Sequence, residues 1–339
     1  MTGQGRLPVV FPPEADERLS SWLTRMAAFY AMTVPEFVTE LGLSGRDMFD
    51  LELRLSAGEG ALIAARTGVS EVALQAMTFQ EISSDAWIMI ARKNRHRCVE
   101  CQGDVQRKSI ALPWTFRCPV HGVELCDATG AILSDMLGAA RFTELETCAS
   151  AGAAVLDAWA RGVGQGALGP DEMLAFLTAR HRRASPPNVS EQPRMSLGAR
   201  RDYHEFLTTP IIRQALTVVV PEYDKVAPVL TKPVRPGSHS LAQGSLLQAY
   251  ALSIGIGRIV KDPVSRAIEV LLVSDAEGQA RVRDALDSWP ISLRRRISAR
   301  LWRAERDERE RQITEKATIR RQSHKYRRVE SHQYRSRIS

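Results

Sequence analysis

The sequence predicts a mainly α fold: a helix-turn-helix-like N-terminal region, an embedded cysteine-rich segment, further helical regions and a basic tail. Three observations carry this expectation. Ala, Leu and Arg are plentiful while aromatic residues make up only 6% of the 339 residues, a balance that favours helix over strand. Apolar residues recur at helical spacing along most of the chain. Positive charge gathers at one end: residues 294–339 hold 16 Lys and Arg against 6 Asp and Glu, a net of +10. The whole chain is +7, so the rest carries −3. Localised positive charge of this kind points to nucleic acid or an acidic partner.

The first helix is expected over 16–31. Leu19, Trp22, Leu23, Met26, Ala27 and Tyr30 share one face, and Asp16 or a neighbour is placed to cap the start. Thr33-Val34-Pro35-Glu36 has the form of a capping box and opens a second helix, Val34 to about Leu41. The layout recurs 37 residues on, with a helix over 58–67, a break at Gly68 and a new start at Ser70-Glu71 running to about Met77. In that register Ala31 aligns with Gly68 and Thr33 with Ser70, a weak repeat of a helix-turn-helix unit. Two hairpins that pack for stability alone are the competing reading. Neither Val34–Leu41 nor Glu71–Met77 contains a Lys or Arg, which argues against either helix reading a major groove.

Cys98-x2-Cys101 and Cys118-x2-His121 lie 16 residues apart. Two such knuckles can bend around one ion, and three thiolates with one imidazole close a tetrahedral zinc shell with no open position. One structural Zn2+ is therefore expected, in a zinc-ribbon or zinc-knuckle segment, with Trp114 and Phe116 placed to shield it. Cys126 stands as a spare or alternative ligand, and Cys148 as a small buried hydrophobe in an Ala-rich helix. Five unevenly spaced cysteines do not suit a secreted disulfide framework. The start of the chain has no apolar signal core, and no run approaches the ~18 apolar residues of a membrane span, so a cytoplasmic protein with no membrane partner is expected.

Helical periodicity returns over 131–180, interrupted by a Gly-rich loop at 162–169 before Pro170-Asp171-Glu172 starts a new helix. A linker is read near 183–198, and helix from about Arg200 to Leu216. Pro221, Pro228, Pro233 and Pro236 mark an irregular connection. A last helical unit, 241–303, should break at Asp262-Pro263 and near Trp289-Pro290. The regions expected are thus 1–92, 93–130, 131–220, 221–303 and a partly disordered tail, 304–339. That tail should carry i,i+4 pairs such as Glu305–Arg309 and Asp307–Arg311. Arg294, Arg295, Arg296, Arg300, Arg320, Arg321, Lys325, Arg327 and Arg328, with Tyr326 and Tyr334 among them, suit contact with the phosphates of double-stranded DNA. A solubilising charged helix is the alternative.

No Gly-x4-Gly-Lys-Ser/Thr loop, nucleophile elbow or His-Glu-x2-His motif appears, and the chain is read as non-enzymatic. Gly255-Ile256-Gly257 is a lone fragment of a phosphate loop and carries little weight.

Leu7-Pro8 and the run Asp16-Glu17-Arg18-Leu19-Ser20-Ser21-Trp22-Leu23-Thr24-Arg25-Met26-Ala27 resemble the opening signature of the TniQ family. Cys98-x2-Cys101 and Cys118-Pro119-Val120-His121-Gly122-Val123-Glu124-Leu125 look like its zinc motif, and Leu286-Asp287-Ser288-Trp289-Pro290 is a weaker, distal similarity. Many relatives carry a further Cys-x2-Cys after His-Gly. Here only Cys126 stands, so a second zinc site is not supported. The resemblance implies an accessory protein of DNA transposition, related to the target-selection protein TnsD. Such a protein recognises or marks target DNA and recruits an AAA+ ATPase regulator; the transposase, an RNA-guided complex and a second copy of the chain are further partners to expect. A zinc-containing helix-turn-helix transcription regulator is the alternative, and a nuclease or integrase subunit a third reading.

Overall fold

The computed structural model describes residues 5–101, 105–164, 166–184, 211–228, 230, 236–307 and 310–311. The chain divides into two units, Met1–Trp289 and Pro290–Ser339. The first is built from helices, with two small two-stranded antiparallel sheets among its described residues.

Its N-terminal part contains α1 (Leu19–Phe29), α2 (Val34–Glu40), α3 (Met48–Leu53), α4 (Ala57–Thr67) and α5 (Glu71–Ala76). The paired layout expected from the 37-residue repeat is present. Thr33 and Ser56 close capping boxes with Glu36 and Glu59, and Ser70 caps α5 through the Ala73 N–H. The turn residues Ala31 and Gly68 both take left-handed backbone, φ 53° and 73°. Ala31 holds that strained conformation because Met32 N–H bonds back to the Ala27 carbonyl and Ala31 N–H to that of Ala28. Leu19, Trp22, Leu23, Met26, Phe37, Leu51, Ile63 and Leu74 form one buried core. The start of α1 differs from expectation. Its N-cap is Arg18, without a side-chain cap bond, and Asp16 has turned away, φ 56°, toward the cysteine-rich segment.

That segment spans roughly 91–132 and holds β1 (Arg97–Cys98), paired antiparallel with β2 (Leu125–Cys126). After it come α6 (Leu133–Leu137), the 22-residue α7 (Ala139–Ala160) and α8 (Pro170–Thr178). Asp171 and Glu172 lie in the first turn of α8 behind Pro170, where carboxylates favour the positive end of the helix dipole.

The helix expected from about Arg200 to Leu216 is not observed where it can be seen. Residues 201–210 lie outside the described residues, and Ile211–Gln214 form a strand, β4, paired with β3 (Arg180–Ala184). The expected linker likewise begins in strand: Arg183 and Ala184 pair with Ile212 and Ile211, and residues 185–198 lie outside the described residues. Ile-Ile-Arg-Gln over 211–214 shows no period-two alternation and is too short a run to mark a strand against its helical flanks.

The chain continues through α9 (Leu216–Val219), α10 (Pro221–Asp224), α11 (Ser238–Gln243), α12 (Leu246–Lys261), α13 (Pro263–Val273) and α14 (Ala276–Leu286). The break at Asp262-Pro263 is present: Asp262 ends α12 and caps α13 through the Ser265 N–H. Helix α12 is buried nearly all round, as a helix at the centre of a bundle must be, and α6, α7, α8, α9, α11 and α13 all contact it. Its closest neighbour is α7. A side chain at Gly152 of α7 would collide with the Ser253 carbonyl oxygen, and one at Gly257 of α12 with that of Cys148. Gly257 thus permits close helix approach, and the Gly255-Ile256-Gly257 fragment has a packing role and no link to a phosphate loop.

In the second unit residues 291–307 form a helix, α15. Arg295, Arg296 and Arg300 are exposed on it, Arg294 is half-buried, and Trp302 is exposed with the Arg306 guanidinium 5.2 Å from its ring centre. Arg306 also pairs with Asp307 and Glu310. Arg309, Arg320, Arg321, Lys325, Arg327 and Arg328 lie outside the described residues.

Candidate metal centre

The hairpin of β1 and β2 places the two knuckles together. Arg97 pairs with Cys126 and Cys98 with Leu125, which sets Cys98 beside the loop that carries Cys118 and His121. Within that loop, Cys118 N–H bonds to the Val123 carbonyl and Gly122 N–H to the Cys118 carbonyl. Gly122 takes φ 71°, a left-handed turn for which glycine is suited, so the motif needs Gly directly after His121.

The thiol sulfurs of Cys98, Cys101 and Cys118 and a ring nitrogen of His121 all lie within 4.8 Å of one another. The Nδ1 atom of His121 is 3.5 Å from Cys98 Sγ, 3.5 Å from Cys101 Sγ and 3.6 Å from Cys118 Sγ, and Cys101 Sγ is 3.7 Å from Cys118 Sγ. A tetrahedral ion with bonds of about 2.3 Å to sulfur and 2.0–2.1 Å to nitrogen gives edges of about 3.8 Å for sulfur–sulfur and about 3.6 Å for sulfur–nitrogen. These four separations match those edges. A disulfide would bring two sulfurs to about 2.05 Å, and all five cysteines are free thiols.

The electrostatics agree. Burial opposes ionisation of Cys118, but the backbone N–H groups of His121 and Val120 outweigh it and bring its pKa down to about 7. Burial and the neighbouring sulfurs of Cys118 and Cys98 push Cys101 up to about 11, against the opposing pull of Arg107. Cys118 thus ionises more readily than a free thiol, while Cys101, held up first by burial and then by its neighbouring sulfurs, resists. A divalent cation among them removes that conflict and ionises all three.

The apolar shield differs from the expected one. Ile110 and Leu125, with Val123, pack against the cysteine pairs. Phe116 turns instead to Tyr250 of α12, ring centres 4.9 Å apart and edge to face. Cys126 is fully buried, its thiol donating to the Arg97 carbonyl at 3.3 Å, and it stands outside the donor cluster.

The sequence reading missed what anchors this segment to the N-terminal helices. Arg18 and Glu52 are both 0% exposed and meet through two bonds, Nη2 to Oε2 at 2.5 Å and Nε to Oε1 at 3.2 Å. Arg18 Nη1 also donates to the carbonyls of Ala91 (2.9 Å) and Arg92 (3.3 Å) and to Asn94 Oδ1 (3.4 Å). Asp16 accepts from the Ser109 N–H and hydroxyl, and Arg107 donates to Glu14 and to the Ala15 carbonyl. Glu17, 1% exposed, accepts from Arg25 and from the Ser21 hydroxyl. On the other side Arg117 pairs with Glu146 of α7, and Phe116 packs on Tyr250 of α12. The cysteine-rich segment is thus gripped from both ends of the first unit.

The geometry defines a class: a mainly helical protein with a Cys3His donor cluster in the segment that joins its N-terminal helices to the later ones. The model of the TniQ family matches residues 8–125, about a third of the chain. The match contains both the Asp16–Trp22 run and all four donors. No curated protein matches the chain, and no solved structure does. Among the described residues no helix is long and apolar enough to cross a membrane.

Proposed function

We propose that the chain is an accessory protein of DNA transposition, one that recognises or marks target DNA and recruits an AAA+ ATPase regulator of the transposase. The observation that carries this reading is the convergence of the four donors inside the span that matches the TniQ family, since TniQ domains belong to transposition-associated proteins. The ion is zinc, one per chain. Soft thiolates with an imidazole at tetrahedral spacing select it, and the closed shell leaves no place for a reacting water, so its contribution is to hold the fold. Cys98, Cys101, Cys118 and His121 hold it.

The role of the chain is contact and not catalysis. The exposed arginines of α15, Arg295, Arg296 and Arg300, and the basic residues that follow, attract phosphates, and that attraction weakens steeply as salt rises. The exposed faces of α2 and α5 carry Glu36 and Glu40, and Glu71 and Val72, with no cation. They suit a protein partner better than a phosphate backbone.

The test is a pull-down of the AAA+ ATPase encoded beside this gene with the purified chain, with and without DNA. Retention of the ATPase, strengthened by DNA, is expected. No retention in either condition, with a folded and metal-loaded chain, contradicts the proposal.

A further inference from the structure

Residues 92–97, Arg-Lys-Asn-Arg-His-Arg, hold four cations and no acid directly before the first metal ligand. From the sequence they read only as part of the metal segment. In the structure their burial splits by position: Arg92, Lys93, Arg95 and Arg97 are exposed, Asn94 is half-buried and His96 is 7% exposed. The inward side chains and the backbone are pinned. Arg18 holds the carbonyls of Ala91 and Arg92 and the side chain of Asn94, and Asn94 Nδ2 donates to the Arg107 carbonyl at 3.0 Å. At one end Ala91 N–H bonds to the Ala111 carbonyl; at the other, Arg97 and Cys98 join the hairpin with Cys126 and Leu125.

The outward side chains are largely free of acidic partners. Several other arginines of the first unit sit in ion pairs, among them Arg46 with Glu59, Arg161 with Asp157, Arg258 with Glu222 and Arg266 with Glu269. Here only Arg92 has such a partner, Asp47 at 3.7 Å, and it also lies 4.9 Å from the Phe49 ring centre. Among the described residues Lys93, Arg95 and Arg97 pair with no acid. The nearby Asp127 carboxylate is taken by the Thr129 hydroxyl and by the N–H groups of Thr129 and Ala131.

We infer that Lys93, Arg95 and Arg97 form a preorganised phosphate-binding ridge that grips the backbone of double-stranded DNA, rigidly coupled to the metal centre. The inference rests on the proposed role at target DNA and moves a main contact from the tail into the TniQ domain. A buried network that holds a loop carrying unpaired cations lowers the ordering cost of binding, which a solubilising charge run has no use for. Guanidinium groups match phosphate oxygens in pairs, so two of the three positions suit that ligand in shape as well as charge. The ridge reads no sequence; it sets position and strength.

The experiment uses the full chain, zinc-loaded, with a fluorescent 30-base-pair duplex and a salt series, comparing the wild type with the triple variant Lys93→Gln, Arg95→Gln, Arg97→Gln. All three side chains are exposed, so the melting transition and metal content should hold, and both are measured. Loss of three phosphate contacts makes the negative slope of log affinity against log salt shallower by about 2–3 units. It weakens binding at low salt by roughly a hundredfold. The variant Arg95→Lys, Arg97→Lys keeps the charge and should keep most of the slope. An unchanged slope in the triple variant overturns the ridge while leaving the transposition reading standing. Failure of the wild type to bind any duplex overturns both. Polyglutamate binding that falls in the triple variant while its DNA slope is unchanged overturns the ridge in favour of an acidic protein partner.

Discussion

At the scale of single residues, the run Asp16-Glu17-Arg18 explains why this opening is a signature at all. Each of its charges has a different commitment: Asp16 to the distant Ser109, Glu17 to Ser21 and Arg25 in the adjoining helix α1, Arg18 to Glu52 and the 91–94 segment. Burial holds the Asp16 carboxyl above its ordinary range even against the Ser109 bonds and the neighbouring cations. A buried ion pair that loses one member leaves an unpaired charge, which costs about 3–5 kcal/mol, whereas loss of both partners leaves none. Glu52→Gln and Arg18→Met are each expected to destabilise the chain by about 3 kcal/mol or more in urea unfolding, with the double variant costing clearly less than the two together. Strict additivity contradicts the account. The pattern of these residues was legible in the sequence, and so was the set of metal donors. The network was not, because Arg18 and Glu52 are 34 positions apart and no periodicity links them.

At the scale of elements, the helix starts at Thr33 and Ser70 were legible because capping is local; the caps Ser56 and Asp262 also act within three residues of themselves but were not read. Helix α3 and the antiparallel pair of β3 and β4 were missed. Six and four residues give too short a run for any period to show, and tertiary packing decides them. The α7–α12 crossing was hidden for a different reason, since glycine inside a helix usually marks a weakness. Gly152→Ala and Gly257→Ala each add helix propensity worth about 1 kcal/mol. Yet each new methyl would collide with a backbone carbonyl across the interface, so both variants should melt at lower temperature than the wild type. A higher melting temperature in either is the opposite result. The junction of β3 with α14 sets a pH dependence. His181, 3% exposed, has its pKa brought down to about 4, chiefly by burial and then by Arg182. Its unfolded value is near 6.5, so between those limits the unfolded chain binds more protons, and stability falls as pH drops from about 6.5 to about 4. The loss approaches roughly 3 kcal/mol. Unfolding followed over that range should show this slope in the wild type and a shallower one in His181→Gln; identical slopes contradict it.

At the scale of the whole first unit, a single segment of some forty residues joins two helical halves. Arg18, Asp16 and Arg107 hold it to α1–α5, while Phe116 and Arg117 hold it to α7 and α12. Its own regular structure amounts to a two-residue hairpin and one short 3-10 turn, too little apolar surface to fix its shape unaided. A zinc ion held by the four donors would supply what the missing core does not, with coupled binding and folding on the order of 10 kcal/mol in isolated fingers. The most direct measurement is elemental analysis of the purified, folded chain alongside Cys118→Ser. One zinc per chain in the wild type is expected, with zinc lost and the cooperative melting transition collapsed in the variant. A fully folded wild type without bound metal, or a Cys118→Ser chain that keeps both its zinc and its melting transition, would contradict the account.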